Sequence, residues 1–178
     1  MINGSMKMDK QRLIRITTIP GSLAFLLKNQ LKFMNRFYEV HAVSSPGKSL
    51  EEVREREGVE IHSVLMTRTI SPWKDLVALI KLVKIMRKLC PAIVHSHTPK
   101  AGTLGMIAAK IAGVPVRMHT VAGLPLLEAR GNKRKLLGII EKITYSCATM
   151  VYPNSFALRD IILQNKFCKK EKLSVIGN

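Results

Sequence analysis

The stretch AIVHSHTPKAGTLGMIAAKIAGVPVRMHTVAG, from Ala92 to Gly123, decides the fold of this chain. Its first part, AIVHSH, is a short apolar run of the kind that forms a buried strand, and its last part, VRMHTVAG, is similar. The segment between them, KAGTLGMIAAKIAG, has the small and apolar residues of a helix, which is predicted to end at Gly113. This order of elements predicts a β-α-β unit with two parallel strands.

The same alternation of strands and helices continues on both sides of this unit. Helical periodicity is found over residues 22–36, 49–58, 73–89, 133–148 and 155–165, and strand-like runs over residues 12–19, 38–44, 59–65 and 150–154. We therefore predict an α/β fold, a three-layer αβα sandwich with a mostly parallel sheet covered by helices on both faces. In such a sheet, ligands bind at the carboxyl ends of the strands, where the loops gather.

Length and composition indicate one globular domain. The chain has 178 residues, enough for a single full core, and the domain is assigned to residues 11–178. Residues 1–10, MINGSMKMDK, lack the apolar run of a signal peptide and are interpreted as a leader. The three cysteines show no C-x-x-C spacing, which favours reduced thiols and a cytoplasmic location. The final run, KLSVIGN, is strand-like and is expected to continue into further chain.

Charge is the unusual property of the composition. Lysine and arginine number 29 against 12 acidic residues, which gives a formal net charge of +17. Such a surplus attracts polyanions, whether nucleic acid, anionic lipid headgroups or phosphorylated substrates. Aromatic residues make up only 5% of the chain, and no RNP-like strand or helix-turn-helix spacing is found. A basic α/β module that binds nucleic acid or another polyanion is therefore the weaker alternative.

The helix over residues 73–89 is predicted to be amphipathic. Its apolar residues should face the core and its lysines should share the opposite face, because each set recurs at helical spacing. The apolar set is Leu76, Leu79, Val83 and Met86, and the lysines are Lys81, Lys84 and Lys88.

Three histidines lie at or near predicted strand ends. His95 and His97 are two residues apart, so on a strand they share one face, and His119 lies in a neighbouring strand. Three imidazoles can hold zinc, but no carboxylate or cysteine is close in sequence, so a zinc enzyme is a minor alternative. We expect His95 to pack in or under the sheet, and His97 and His119 to face a polar cleft.

Two further positions suit an anion or a sugar hydroxyl. Lys100 and Gly102 lie at a helix start, where free amides and the helix dipole favour an anion, although simple solvent exposure of the lysine is equally compatible. The first strand is followed by IPGS, in which Gly21 either lets the backbone approach a ligand or only forms a turn.

Taken together, the Pro-Gly after the first strand, the block HSHTPKAGTLGMIAAKIAGVPVRMHTVAGL and the later YPNS resemble glycosyltransferase family 4, especially bacterial members that build capsular or O-antigen polysaccharide. The resemblance covers residues 11–178. It implies a retaining enzyme of the GT-B fold, in which two Rossmann-like domains face a cleft. This chain would be the N-terminal, acceptor-side domain, and the paired glutamates of the family, E-x7-E, would belong to the second domain. Glu52 and Glu60 satisfy that spacing only by coincidence, because they lie on different predicted elements.

The resemblance also implies site residues. His119 would lie beside the transferring sugar, and Gly21 with Ser22 would form the loop that approaches the donor diphosphate and the acceptor, although Ser22 stands where the family usually has a second glycine. The remaining implied substrate contacts are His97, Thr98, Lys100, Thr120, Gly123, Asn154 and Ser155.

The implied partners are a nucleotide-sugar, expected to be UDP-linked and held by the second domain, and an acceptor on a polyprenyl diphosphate. No metal or other cofactor is expected. The surplus of basic residues would bind the anionic inner face of the bacterial cytoplasmic membrane, where the protein would be peripheral. The residues expected to face the membrane are Trp73, Lys81, Lys84, Lys88, Lys133, Arg134 and Lys135. The domain alone is expected to fold without being active.

Overall fold

The computed structural model describes residues 10–176 and contains one six-stranded sheet with helices on both faces. The strands are Arg12–Ile16 (β1), Glu39–Ser44 (β2), Glu60–Ser63 (β3), Ile93–Ser96 (β4), Val116–Val121 (β5) and Met150–Pro153 (β6). The helices are Pro20–Leu26 (α1), Gln30–Met34 (α2), Lys48–Glu57 (α3), Pro72–Leu89 (α4), Pro99–Ile111 (α5), Gly131–Cys147 (α6) and Phe156–Gln164 (α7).

The strand order is β3-β2-β1-β4-β5-β6, and every neighbouring pair is parallel. This is the order of a doubly wound Rossmann-like sheet, so the predicted αβα sandwich is confirmed, with a sheet that is parallel throughout. The β4-α5-β5 unit predicted from Ala92 to Gly123 is present, and Gly113 follows α5 with a φ of 74°.

Two hydrophobic cores lie on the two faces of the sheet. Because successive side chains of a strand point to opposite faces, Leu13 belongs to the core under α1, α2 and α3, whereas Ile14 belongs to the core under α4, α5 and α6. The second core is larger and includes Ile162 of α7. The face that carries α1 to α3 is packed by helices mainly over β1 to β3.

The helix predicted over residues 22–36 is in fact two helices. The chain turns at Asn29, whose φ is 63°, between α1 and α2. The buried carboxylate of Glu57 accepts hydrogen bonds from the backbone N–H groups of Asn29 and Lys32, both at 3.1 Å. The Glu57 carboxylate of α3 therefore caps the start of α2. Because this cap comes from another helix, the local sequence pattern does not reveal the break between α1 and α2.

The predicted faces of α4 are partly wrong. Its buried stripe is Ala78, Leu82 and Met86, with Leu79 and Val83 partly buried beside it, whereas Leu76 is 45% exposed. The stripe is rotated from the predicted one, with the small Ala78 buried at a position where the prediction placed no core residue. Leu76 consequently lies on the same outward surface as the lysines.

The described residues begin at Lys10 and end at Ile176. The predicted leader, residues 1–10, lies outside the described residues except for Lys10. The strand-like run KLSVIGN forms no regular strand: Lys172 ends a 3-10 turn, and the run pairs with β6 through an isolated bridge of Leu173 to Val151 and a hydrogen bond from the Ser174 N–H to the Val151 carbonyl at 3.2 Å. Within residues 10–176, no helix is both long and apolar enough to cross a bilayer.

Candidate functional site

The loops at the carboxyl ends of β1 and β4 form the centre of the candidate site. These strands are neighbours in the sheet, but the chain leaves β1 toward α1 on one face and leaves β4 toward α5 on the other. A crevice opens at such a switch point, and it is where open α/β sheets bind their ligands. The Rossmann-like order thus brings the loops after β1 and β4 together, as expected.

Two threonine hydroxyls join these loops. The Thr18 and Thr98 hydroxyl oxygens are 2.7 Å apart, and the Thr18 backbone N–H donates to the Thr98 hydroxyl at 2.9 Å. The Thr18 hydroxyl also accepts a hydrogen bond from the Ala101 N–H at 3.2 Å. Thr18 therefore caps α5 from another loop. It also holds Thr98, a predicted site residue, in place at the rim of the crevice.

Gly21 and Ser22 lie in the first turn of α1 and are half-buried. A Cβ atom added to Gly21 would meet nothing within 4 Å, so packing inside this domain does not require glycine there. The free space above the Gly21 backbone remains open for a ligand to approach. Gly123, at the end of β5, is exposed and has the same unobstructed surroundings.

His97 lies at the end of β4 and is 8% exposed. The Arg15 Nε donates to the His97 Nε2 at 2.9 Å. Because a guanidinium has no acceptor, Nε2 must be the unprotonated nitrogen, and the imidazole proton lies on Nδ1. Burial, with the neighbouring His95 and Arg15, holds the pKa of His97 well below its ordinary value, so the ring is neutral.

His95 and Thr120 are on the same sheet face as His97 but lie further from the strand ends. The His95 and His97 ring centroids are 4.1 Å apart, and His95 Nε2 is hydrogen-bonded to the Thr120 hydroxyl at 2.8 Å. His95 is half-buried, and so is more exposed than His97, contrary to the expected arrangement. The Thr120 hydroxyl is therefore already hydrogen-bonded to an imidazole, on the sheet face that carries α1 to α3.

The expected orientation of His119 is wrong. His119 is 3% exposed and points to the opposite face, where its Nδ1 is hydrogen-bonded to the Ser96 hydroxyl at 2.9 Å. Its ring packs against Gly102 of α5 so closely that a Cβ there would overlap it. Burial lowers the pKa of His119 to about 4. The accessible positions at the end of β5 are instead Ala122 and Gly123.

This orientation also removes the zinc alternative for the three histidines. His119 lies on the face of the sheet opposite to His95 and His97, so the three imidazoles cannot meet on one ion. Across residues 10–176, no cluster of three or more potential metal ligands is found.

Lys100 is neither a free anion site nor simply exposed, the two outcomes expected from sequence. Its Nζ is 2.5 Å from the Asp75 Oδ2 of α4, with both side chains mostly buried. The pair lies in a groove of about 150 Å³ between α4, α5 and α6, which also contains Arg68 and Glu141. Burial raises the pKa of Glu141. A ligand at this groove would meet a neutralised lysine.

Asn154 and Ser155 follow β6 at the same end of the sheet. Ser155 is the N-cap of α7, because its hydroxyl accepts a hydrogen bond from the Leu158 N–H at 3.2 Å. Asn154 is exposed, and its side-chain amide does not cap the helix.

Sequence reasoning missed Thr18, Arg15 and Asp75. Thr18 and Asp75 act through partners that are distant in sequence, and no local motif marks them. Arg15 did leave a signal, because a charged residue inside the apolar strand RLIRI is rarely buried without a reason.

The residues expected to face a membrane are exposed. Trp73 is 78% exposed at the start of α4, and the six cations of the set are exposed as well. Sequence reasoning missed the apolar residues among them. On α4 these are Leu76, Val77 and Ile80, and on α6 they are Leu136, Ile139 and Ile143.

Comparison with known proteins adds independent findings. Residues 19–165 match the family model described as glycosyl transferase 4-like. The Staphylococcus aureus capsular polysaccharide biosynthesis glycosyltransferase CapM is 36% identical over 171 residues, which are 96% of this chain and 44% of that protein. An Escherichia coli UDP-Gal:alpha-D-GlcNAc-diphosphoundecaprenol alpha-1,3-galactosyltransferase is 35% identical over 117 residues, 64% of this chain and 30% of that protein.

The fold has relatives among solved structures. The crystal structure of Anabaena HepE in complex with UDP and glucose matches with a TM-score of 0.71 at 16% identity, over 94% of this chain and 44% of that one. At this identity the likeness shows the fold alone. The chain spans less than half the length of these relatives.

Proposed function

Because this chain belongs to the glycosyl transferase 4-like family, we propose that it is the acceptor-binding domain of a retaining glycosyltransferase in bacterial surface polysaccharide biosynthesis. The enzyme would move a sugar from a nucleotide-sugar, UDP-linked, to a lipid-linked glycan. The observation that carries this proposal is the 36% identity to CapM over 96% of this chain. The names of the E. coli and Anabaena relatives, with their UDP and diphosphoundecaprenol, support the donor and the acceptor.

The proposed site is the crevice at the ends of β1 and β4. The acceptor would lie on the rim made by Thr18 and Thr98, with the open backbone of Gly21 on one side and Gly123 on the other. The departing diphosphate of the donor develops charge that donors and cations can stabilise, so the reaction as proposed uses no metal. A second domain would supply the donor-binding wall.

His97 and His119 have different roles in this proposal. His97 is neutral with its proton on Nδ1, so it can donate a hydrogen bond to a sugar hydroxyl at the end of β4. His119 would not touch the sugar directly, because it is buried beneath α5. It would instead support the crevice by holding Ser96 of β4 and the first turn of α5 in place.

We also propose that the outward surface of α4 and α6 binds the anionic inner leaflet, which makes the protein peripheral on the cytoplasmic membrane. On α4, exposed Trp73, Val77 and Ile80 alternate with exposed Lys81 and Lys84, the mixture found in helices that lie in a membrane interface. Both helices pack against α5, so their outward surfaces are on the same side of the sheet.

A groove between α6 and the segment after α7 adds to the charge of this surface. Two adjoining hollows of about 530 and 620 Å³ share Lys142 and Phe167 and have no carboxylate among the described residues that line them. The cations that line the groove are Arg134, Lys135, Lys142, Lys166, Lys169 and Lys172. Such a row suits several lipid headgroups, each near lysine contributing about 1 kcal/mol.

The acceptor role can be tested with the chain itself by NMR titration. A short-chain prenyl-diphosphate sugar should shift the amide resonances of Thr18, Thr98 and Gly123 saturably, and UDP alone should not. Thr18→Val should weaken the binding, because it removes the hydroxyl that fixes Thr98. Thr69→Val, which removes an exposed hydroxyl outside this crevice, is the matched control. Saturable binding of UDP at this crevice, with no response to the acceptor analogue, would reject the acceptor role.

A further inference from the structure

The proposed sugar-transfer site uses only one N–H of the buried Arg15, the Nε–H that fixes the His97 tautomer, and does not explain the rest of this cation. It lies in β1, on the face that carries α1, α2 and α3, and only 5% of the residue is exposed. Burial lowers the pKa of its guanidinium to about 10, which still leaves the group charged at neutral pH. The chain thus holds a full positive charge against its sheet.

The partners of Arg15 are both neutral. Its Nε donates to His97 Nε2 at 2.9 Å, and one terminal nitrogen donates to the Gln30 side-chain oxygen at 3.3 Å. Within residues 10–176, no carboxylate forms an ion pair with it. A guanidinium has five N–H donors, so the remaining three have no protein partner in this part of the chain.

The free side of Arg15 opens into a pocket of about 320 Å³ at the junction of α1 and α2. Lys28 lies in the same pocket, with the amide side chains of Asn29 and Gln30 and the apolar side chains of Phe33 and Met34. No acidic residue is among the described residues that line it. Two cations therefore line a small pocket that has no carboxylate in its lining, and the nearby Glu57 carboxylate is bound to Arg56 and to the backbone N–H groups of Asn29 and Lys32.

A buried charge of this kind is unfavourable unless it is paired. Each nitrogen of Arg15 either has a hydrogen-bond partner or is in contact with solvent. The Tyr145 hydroxyl, in contrast, is buried and has no partner. Its planar donors match an oxyanion with two oxygens in one plane, and phosphate is such a group. Lys28 can supply a second charge to a further oxygen.

We propose that this pocket is a binding site for a phosphate-type oxyanion, held in a two-point contact by Arg15 and by the ammonium of Lys28. The site is on the flank of the sheet and is separate from the crevice at the strand ends. The two are joined by one hydrogen bond, from Arg15 to His97, so an anion that reorients the guanidinium also changes the surroundings of His97. This proposal goes beyond sugar transfer and does not depend on it.

The experiment is an NMR titration of the 178-residue chain with inorganic phosphate and with pyrophosphate, at constant ionic strength. We expect saturable shifts of the Arg15 Nε and of the amides from Lys28 to Met34, followed by a change in the His97 ring nitrogens. Lys28→Ala should weaken binding by roughly tenfold, since a contact to a charged group is lost. Lys32→Ala, an exposed lysine of α2 outside the pocket, should leave the affinity unchanged.

Arg15→Lys keeps a charge but loses the planar fork, and it should weaken binding by at least as much as Lys28→Ala. If that variant does not fold, the exposed Lys28 variant decides the question. The absence of saturable shifts with both anions, or equal losses in Lys28→Ala and Lys32→Ala, overturns the proposal. UDP and vesicles of phosphatidylglycerol are added in separate arms. The one that displaces pyrophosphate identifies the source of the phosphate group. Failure here leaves the acceptor test, read at Thr18 and Thr98, unaffected.

Discussion

His119 of the sheet and Gly102 of α5 form a tight contact. The imidazole lies where a side chain at position 102 would have to go, and its Nδ1 is tied to the Ser96 hydroxyl. The histidine cannot move toward solvent, because it is buried on all sides. The glycine is therefore required here by packing, not by an unusual backbone conformation.

Gly102→Ala should destabilise the protein by about 1–3 kcal/mol, the usual cost of overpacking a well-packed core. The added methyl would overlap the His119 ring, which is buried and held by its hydrogen bond to Ser96. Urea unfolding of the wild type and the variant measures the difference through the transition midpoint.

Gly105→Ala is the matched control, one turn further along the same helix. Its Cβ would lie 3.1 Å from the Ile16 Cδ1, the movable end of a flexible side chain. Helix propensity favours alanine over glycine by up to about 1 kcal/mol, so this variant should be close to the wild type in stability. If the two variants are equally stable, the tight packing described for His119 is wrong.

Side-chain orientation is where the sequence was least informative. Spacing within a strand correctly placed His95 and His97 on one face. The relative orientation of His119 depends on how β5 is aligned with β4, and Ser96, not His97, lies opposite His119. Such register arises from the packing of the whole sheet, so it cannot be derived from the residues of one strand.

At the scale of elements, the sequence predicted every strand and nearly every helix, because their periodicities are strong. The break between α1 and α2 was missed because it depends on a carboxylate supplied by α3. The faces of α4 were shifted because the prediction gave its leucines to the core, whereas Ala78 packs there and Leu76 remains outside. Both errors come from tertiary contacts that overrule local preference.

The exposed lysines of α4 allow a specific test of the proposed membrane binding. Lys81→Glu with Lys84→Glu should strongly reduce co-sedimentation with vesicles that contain anionic lipid, because each lysine contributes about 1 kcal/mol near such a surface. Binding to neutral vesicles should be weak for all proteins, and added salt should reduce the difference.

The matched control is Lys32→Glu with Lys48→Glu, on α2 and α3 across the sheet, which changes the net charge by the same amount. If this control releases the protein to the same extent, net charge alone is responsible and the α4 surface is not the contact. Tight duplex DNA binding at physiological salt that is lost with the α4 variant would instead favour the nucleic-acid alternative.

At the scale of the whole molecule, the histidines make stability depend on pH. His95, His97 and His119 have pKa values lowered chiefly by burial, and His41 and His62 have pKa values lowered in the same direction. The unfolded chain takes up protons near the ordinary value of about 6.5, whereas the folded chain resists them. Stability is therefore complete above about pH 6.5 and declines as the pH falls toward 4.

Urea unfolding at pH 7, 6 and 5 should show a steady fall in the free energy of unfolding. His119 alone can contribute up to about 3 kcal/mol by the time the pH reaches its folded pKa of about 4. The range above pH 5 is the informative one for the histidines, because the pKa of Glu57 is lowered. The pKa of Glu141 is raised by burial, so its protonation opposes the loss of stability as the pH falls. His119→Gln should flatten the profile, and a profile that is flat in the wild type would contradict the burial of these imidazoles.

The pairing of residues 173–176 with β6 has a consequence for behaviour at high concentration. The N–H groups of Ser174 and Ile176 are bound to β6 carbonyls, so β6 does not present an open strand edge to another molecule. On the opposite side the sheet ends in β3, which is only four residues long. Exposed long edges favour strand-to-strand aggregation, and within residues 10–176 this sheet has only short ones. Association of two molecules through these edges is therefore disfavoured, and the repulsion between like-charged molecules acts in the same direction.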